Sequence, residues 1–353
     1  MNFLQELLTK ALQSSASDVH IVAGLPPVFR IHTVLEPAGD YPAVTPGQAE
    51  GFVREMIGPQ RFHYFQEHRD VDFSTVVQEL GRFRVNAHYQ RDTIAIAFRA
   101  ISDRVPPLAE LNLPPVIESF VDLPRGLVLV TGQTGSGKST TLASLIDAMN
   151  QRYQHHVITL EDPVEYELRG NKCVIEQREL GSDVPSFASG LRHALRQDPN
   201  IILVGEMRDL ETTSAAITAA ETGHLVLSTL HTENASQTIE RIIDIYPAEQ
   251  QNQIRAMLSN TLQAVVSMCL FKRIDKPGMV PACEVMVCTP AVRNCIRENR
   301  IHEIPNIIAT SRGMGMCTLD DSIKALYFNG YINRKQAISR AAMPEALSKA
   351  LSA

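Results

Sequence analysis

The chain has no run approaching the ~20 apolar residues of a membrane-spanning helix and no basic-then-apolar leader at its start. Both absences predict a cytoplasmic protein. Its cysteines (173, 269, 283, 288, 295 and 317) form no C-x-x-C pair, so neither a zinc ribbon nor a redox dithiol is indicated. Most fall among apolar neighbours in predicted strands and helices, which suits buried thiols in a reducing compartment. Positive charge is not in excess either. With 33 Lys and Arg against 39 Asp and Glu, the formal net charge of -6 argues against a bulk surface built to grip nucleic acid or acidic membrane. What is present is length, 353 residues with room for two or three domains, and 44% apolar residues, enough for real cores.

One stretch carries the strongest signal. Gly132-Gln133-Thr134-Gly135-Ser136-Gly137-Lys138-Ser139 matches G-x-x-x-x-G-K-[ST], follows the apolar run Leu127 to Thr131 and opens a predicted helix from Lys138 to Arg152. Glycines let successive backbone N–H groups point into one concavity, and the helix N-terminus adds partial positive charge. Lys138 can reach the β- and γ-phosphates, Ser139 can hold Mg²⁺, and Thr140 completes the binding set. The pattern predicts a nucleoside-triphosphate site.

Upstream, Phe3, Leu4, Leu7, Leu8, Ala11 and Leu12 recur at helical spacing and predict an amphipathic first helix. Two short strands follow, Asp18 to Ala23 and Val28 to Val34, then helical patterns from Thr45 to Ile57 and from Pro59 to His68. Strands are predicted at Asp70 to Val77, Gly81 to Gln90 and Thr93 to Ile101. The result is an α+β domain with an antiparallel sheet. Within Gly81 to Gln90, Phe83, Val85, Ala87 and Tyr89 take one face and Arg82, Arg84, Asn86 and His88 the other. A solvated sheet face accounts for this, and so do arginines, joined by Arg99, that meet a nucleotide or a neighbouring subunit. The prolines of Ser102 to Pro115 mark an interdomain linker, giving domains 1–101 and 116–353 joined by 102–115.

After the phosphate loop, strand-like and helix-like segments alternate, as a mostly parallel α/β sheet requires. The strand His156 to Leu160 ends in Glu161-Asp162-Pro163, and the strand Ile201 to Gly205 delivers Glu206. Carboxylates at strand ends beside a phosphate loop are placed for Mg²⁺ or for the attacking water. A helix from Ser186 to Gln197 puts Arg192 and Arg196, four apart, on its outer face. The strand Leu225 to Thr229 is bracketed by His224 and His231, whose spacing fits no common zinc pattern. Structural histidines and sensors of the γ-phosphate are both open readings.

At this point the chain resembles the secretion-type ATPases of type IV pili and type II secretion, and within them the pilus-retraction (twitching-motility) motors. The likeness runs through Ala16-Ser17-Asp18-Val19-His20, Gly81-Arg82-Phe83-Arg84-Val85-Asn86 and the phosphate loop. It continues through Leu160-Glu161-Asp162-Pro163-Val164-Glu165, the stretch from Ile202 to Asp209 with its Gly205-Glu206-Met207-Arg208 core, and Thr222 to His231. The resemblance implies a RecA-like ATPase core, a smaller PAS-like N-terminal domain, a C-terminal helical bundle and a hexameric ring. It implies ATP and Mg²⁺ as ligands, with Glu206 activating water, Glu161 assisting with metal and water, and His231 approaching the γ-phosphate. Arg82 and Arg99 come from the N-terminal domain, and Arg192, Arg196 and Arg273 lie at subunit borders.

The four-cysteine insertion of the assembly and secretion ATPases is lacking. Ala291-Val292-Arg293-Asn294-Cys295-Ile296-Arg297-Glu298 resembles the retraction signature A-I-R-N-L-I-R-E, departing at Val292 and Cys295. Arg293, Arg297 and Arg300 are expected on one helical face as a contact surface. The implied partners are other copies of the chain, an inner-membrane pilus platform protein and a second retraction ATPase, at the cytoplasmic base of the pilus. Accessory retraction ATPases and DNA-translocating rings share this plan. Nucleic acid is disfavoured by the acidic balance and the lack of a basic, aromatic-interleaved channel. Adenine follows from the resemblance; Asn171-Lys172 continues as Cys173-Val174 and does not complete the guanine reader N-K-x-D.

Overall fold

The computed structural model describes residues 3–31, 34–39, 41–101 and 104–352. They divide into one unit of Met1–Arg104 with Pro163–Glu167 and a second of Val105–Asp162 with Leu168–Ala353. Ser102 and Asp103, the start of the expected linker, lie outside the described residues.

The first unit holds α1 (Phe3–Gln13), β1 (Asp18–Val22), β2 (Val28–Ile31), β3 (Val34–Pro37), α2 (Pro46–His68), β4 (Asp70–Val77), β5 (Gly81–Gln90) and β6 (Thr93–Ala100). The strands form one sheet in the order β3-β2-β1-β6-β5-β4, and every pairing is antiparallel. The sequence predicts one strand from Val28 to Val34; the structure has two, with residues 32–33 outside the described set. All four residues of β3 are exposed, so it leaves no alternating apolar pattern to read. α2 leaves helical geometry at Gly58 (φ 73°, ψ 171°), just before Pro59, as two adjoining helical patterns require. Leu7, Leu8, Val53, Phe65, Phe73, Val85 and Phe98 centre its core.

The second unit opens on two short 3-10 turns, Leu108–Glu110 and Pro115–Asp122. It is built on β7 (Gly126–Thr131), α3 (Lys138–Arg152), β8 (His156–Glu161), β9 (Val174–Glu179), α4 (Phe187–Ala194), β10 (Ile201–Val204), α5 (Leu210–Glu221), β11 (Leu225–Leu230), α6 (Ala235–Asp244) and α7 (Gln251–Thr261). There follow β12 (Leu262–Lys272), β13 (Met279–Val287), α8 (Pro290–Arg297), α9 (Ile304–Thr310), α10 (Leu319–Phe328), α11 (Arg334–Ser339) and α12 (Pro344–Ala350). Its sheet has the order β13-β12-β7-β11-β10-β8-β9, parallel throughout except for the β12–β13 hairpin. Strands buried on both faces read as continuous apolar runs. Along β7, Leu127 and Leu129 enter the core shared with α4 to α9, while Val128 and Val130 enter the opposite core with Leu142, Ile146 and Met149 of α3.

The parallel pairing puts the carboxyl ends of β7, β11, β10 and β8 on one edge, where an open α/β sheet binds its ligand. The C-terminal helices α10 to α12 pack on the hairpin through Phe271, Val280, Ala282, Ile323, Leu326 and Leu347. Among the described residues no helix is long and apolar enough to cross a membrane. All six cysteines are free thiols. Burial raises Cys288 to about 12 and Cys317 to about 11, which leaves both protonated and inert at neutral pH.

Candidate active site

The phosphate loop is shaped by what lies beneath it. Gly132 turns at φ 139°, and a Cβ there would sit 2.3 Å from the Met268 carbonyl oxygen of β12 and 2.7 Å from Ser136 Oγ. Only glycine fits that approach. Thr131 Oγ1 donates to Ser267 Oγ at 2.8 Å, tying the end of β7 to β12. Gly137, at φ 98°, caps α3 with no side-chain acceptor, so the helix's first N–H groups point outward. Lys138 Nζ donates to the carbonyls of Gly132 at 2.8 Å and Gln133 at 3.1 Å, which folds the ammonium over the loop. Ser136 Oγ is buried and, among the described residues, without a hydrogen-bond partner. Such an orphan inside a glycine cradle fits an anion that accepts its proton.

Glu206 follows β10 by two residues on a backbone stapled to its neighbours. Thr229 Oγ1 donates to Gly205 O at 2.6 Å, and Met207 N donates to Thr229 O at 3.2 Å. The carboxylate pairs through Oε1 with Arg208 Nε at 2.6 Å and with His231 Nε2 at 3.2 Å. That hydrogen bond to Glu206, helped by the charge of Asp162, raises Arg208 above the ordinary guanidinium value. Glu161, one strand further, accepts from Thr159 Oγ1 at 2.6 Å and Gln177 Nε2 at 2.9 Å. Gly205 N donates to Leu160 O at 2.7 Å, which fixes β10 against the strand that carries Glu161. Glu161, Glu206 and Ser139 offer the hard carboxylate and hydroxyl oxygens that would suit Mg²⁺. Among the described residues no three His, Cys, Asp or Glu converge as an all-protein metal cage.

The expected residues do not all meet. His231 joins Glu206, but His224 precedes β11, where its Nδ1 donates to Ala219 O at 3.0 Å and lies 3.3 Å from Thr222 Oγ1, at the other end of that strand. Six strand residues separate the two histidines by about 20 Å, so a shared site for both is corrected: only His231 lies on the edge that carries Glu206. In the first unit, Arg82 Nε and Nη2 donate to Ser74 Oγ at 3.0 and 2.6 Å. Arg99 Nε and Nη2 reach Asp18 Oδ1, each at 2.8 Å. The Ala16–His20 motif thus supplies the acid that anchors Arg99.

Arg192 and Arg196 are exposed. The helix expected to Gln197 ends at Ala194, because Pro199 and the left-handed Asp198 (φ 55°) turn the chain, and Arg196 sits in the turn. Arg273 is 8% exposed, pairs with Asp275 at 2.6 and 2.9 Å, and lies 4.0 Å over the Tyr331 ring. Its guanidinium is spent inside its own chain, so the border reading is corrected to a structural one. Arg293 Nη1 donates to the carbonyls of Ser259 at 2.7 Å and Asn260 at 3.1 Å, and Nη2 to Gln263 Oε1 at 3.0 Å. It closes the end of α7 and is no outward contact. Arg300 lies beyond α8 and pairs with Glu303 at 3.2 Å, leaving Arg297 as the exposed arginine of that set. Sequence reasoning missed Gln177 and Arg208. Nothing in the residues around Gln177 signals its role, whereas Arg208 is visible only as a charge two places beyond Glu206.

Residues 110–320 match the family described as type II/IV secretion system protein. The chain is 44% identical over 342 residues to the type IV pilus retractation ATPase PilT of Pseudomonas aeruginosa, covering 97% of this chain and 99% of that one. It is 37% identical over 337 residues to the type IV pilus ATPase PilU of the same organism, covering 96% and 88%. A crystal structure of the pilus retraction motor PilT with bound ADP superposes with a TM-score of 0.92 at 41% identity, covering 99% of this chain and all of that one. The chain belongs to the type II/IV secretion system protein family.

Proposed function

We propose that this protein is a hexameric ATPase motor that powers type IV pilus retraction, acting at the cytoplasmic base of the pilus on an inner-membrane platform protein. The observation that carries the reading is Glu206 at the sheet edge, held by His231, on the same edge as the glycine cradle. In this reading the N–H groups of residues 132–140 and Lys138 hold the triphosphate, and Ser139 and Glu161 hold Mg²⁺. Bound there, Mg²⁺ neutralises charge on the β- and γ-phosphates. Glu206 takes the proton of the attacking water, and His231 orients beside the γ-phosphate. Arg82 and Arg99 from the first domain, with Arg192 and Arg196 across protomer borders, offer charge to the transition state. Arg297 faces the partner that turnover moves.

Phosphate release by the purified chain tests the chemistry. Glu206→Gln should bind ATP yet lose turnover by about 10²–10⁴-fold, the usual worth of a positioned base; wild-type turnover in that variant removes Glu206 from the mechanism. The likeness to PilU supports a second reading, an accessory retraction ATPase. Deleting the gene separates them: complete loss of retraction assigns the main motor, and retained retraction the accessory one.

A further inference from the structure

Arg208 lies on the loop from Gly205 to Asp209, between β10 and α5, and the backbone of that loop is fixed at both ends. Met207 is buried with its N–H on Thr229 O, and Asp209 caps α5 by accepting from Thr212 N at 2.7 Å and Thr212 Oγ1 at 3.0 Å. What remains soft is the Glu206 side chain, whose terminal torsion is broad and two-fold. Its Oε1 takes both contacts, Arg208 Nε at 2.6 Å and His231 Nε2 at 3.2 Å. Among the described residues no hydrogen bond falls on Oε2, and in both ion pairs the nearest carboxylate oxygen is Oε1. The Glu206 side chain is 17% exposed and that of Arg208 73%, so the arginine closes over the carboxylate from the solvent side.

We propose that Arg208 is the positioning residue of the water-activating carboxylate: it occupies Oε1 and so presents Oε2 as the oxygen that accepts the water's proton. The inference rests on Glu206 being the base. Two contacts on one oxygen remove the carboxylate's rotational freedom, and pre-set orientation of a base lowers the barrier without strengthening substrate binding. Arg208 therefore acts on turnover, not on nucleotide affinity. His231 alone, at the longer distance, does not hold the group as firmly.

The test is steady-state ATP hydrolysis by the full chain as wild type, Arg208→Ala, Arg208→Lys, Glu206→Gln, Glu206→Asp and the Glu206→Asp/Arg208→Ala double variant. Arg208→Ala should lower kcat at least tenfold and leave KM for ATP within twofold, with the thermal shift on adding ADP preserved. Arg208→Lys should restore kcat to within threefold of wild type. Glu206→Asp withdraws the carboxylate by one methylene and breaks the pair, so adding Arg208→Ala to it should cost less than twofold. Wild-type or faster turnover in Arg208→Ala overturns the proposal, as does a loss carried by KM. The same tenfold loss in the Glu206→Asp background also overturns it, because Arg208 then acts independently of Glu206. Should wild type release no phosphate, or Glu206→Gln match it, the ATPase reading itself fails, a distinct result. Arg208→Gln replaces the alanine variant if that one does not bind ADP.

Discussion

At Gly132 two constraints coincide: a left-handed φ of 139° and a carbonyl 2.3 Å from any Cβ. The second alone excludes a side chain, because the obstructing atom is backbone, and the first adds a conformational cost of roughly 1–2 kcal/mol. Together they force the loop off its floor. Gly132→Ala should weaken ADP binding at least tenfold in a fluorescence titration. Gly278→Ala, equally left-handed at φ 125° but open around its Cβ, should leave binding unchanged. Equal affinities in the two variants would mean that the floor does not shape the loop. The glycine pattern was legible in the sequence because the phosphate site depends on backbone freedom, which residue identity alone reveals. The pairing of Glu206 with Arg208 was not, because side-chain direction past a strand end depends on what the neighbouring strand offers.

Among elements, the strands of the nucleotide core were readable, since burial on both faces writes itself as unbroken apolar runs such as Leu127 to Val130 and Ile201 to Val204. β3 was hidden by full exposure. The early end of α4 followed from Pro199 and the left-handed Asp198, which interrupt the helical spacing read to Gln197. The helix α8 is the clearest divergence. Its apolar stripe, Val292, Cys295 and Ile296, is buried as expected, but Arg293 turns inward to the last carbonyls of α7. A cation there satisfies orphan acceptors and complements the helix dipole. Arg293→Ala should destabilise the folded chain by about 1–3 kcal/mol, and Arg297→Ala by no more than about 0.5 kcal/mol. Urea unfolding of the two variants measures the difference; equal midpoints would remove the capping role.

For the whole molecule, the exposure of Arg192 and Arg196 sets them apart from Arg273. Surface arginines contribute little to the stability of a single chain, whereas at a protomer border they can act on a neighbour's phosphates. The double variant Arg192→Ala/Arg196→Ala should unfold at the wild-type temperature, yet its specific ATPase activity should fall several-fold, most steeply on dilution. Activity independent of both substitution and dilution would place these residues away from any border. The proline-rich stretch 102–115 made an interdomain linker legible as an expectation, and the two units divide at Arg104–Val105. The membership of Pro163–Glu167 in the first unit was not legible, because five residues carry no periodicity of their own.

The carbonyl of Met268 beneath Gly132 belongs to β12, more than a hundred residues downstream in the chain. The nucleotide cradle is therefore not portable as an octapeptide. Grafted onto another strand and helix without the hairpin that underlies it, the same eight residues would keep their spelling and lose their mould.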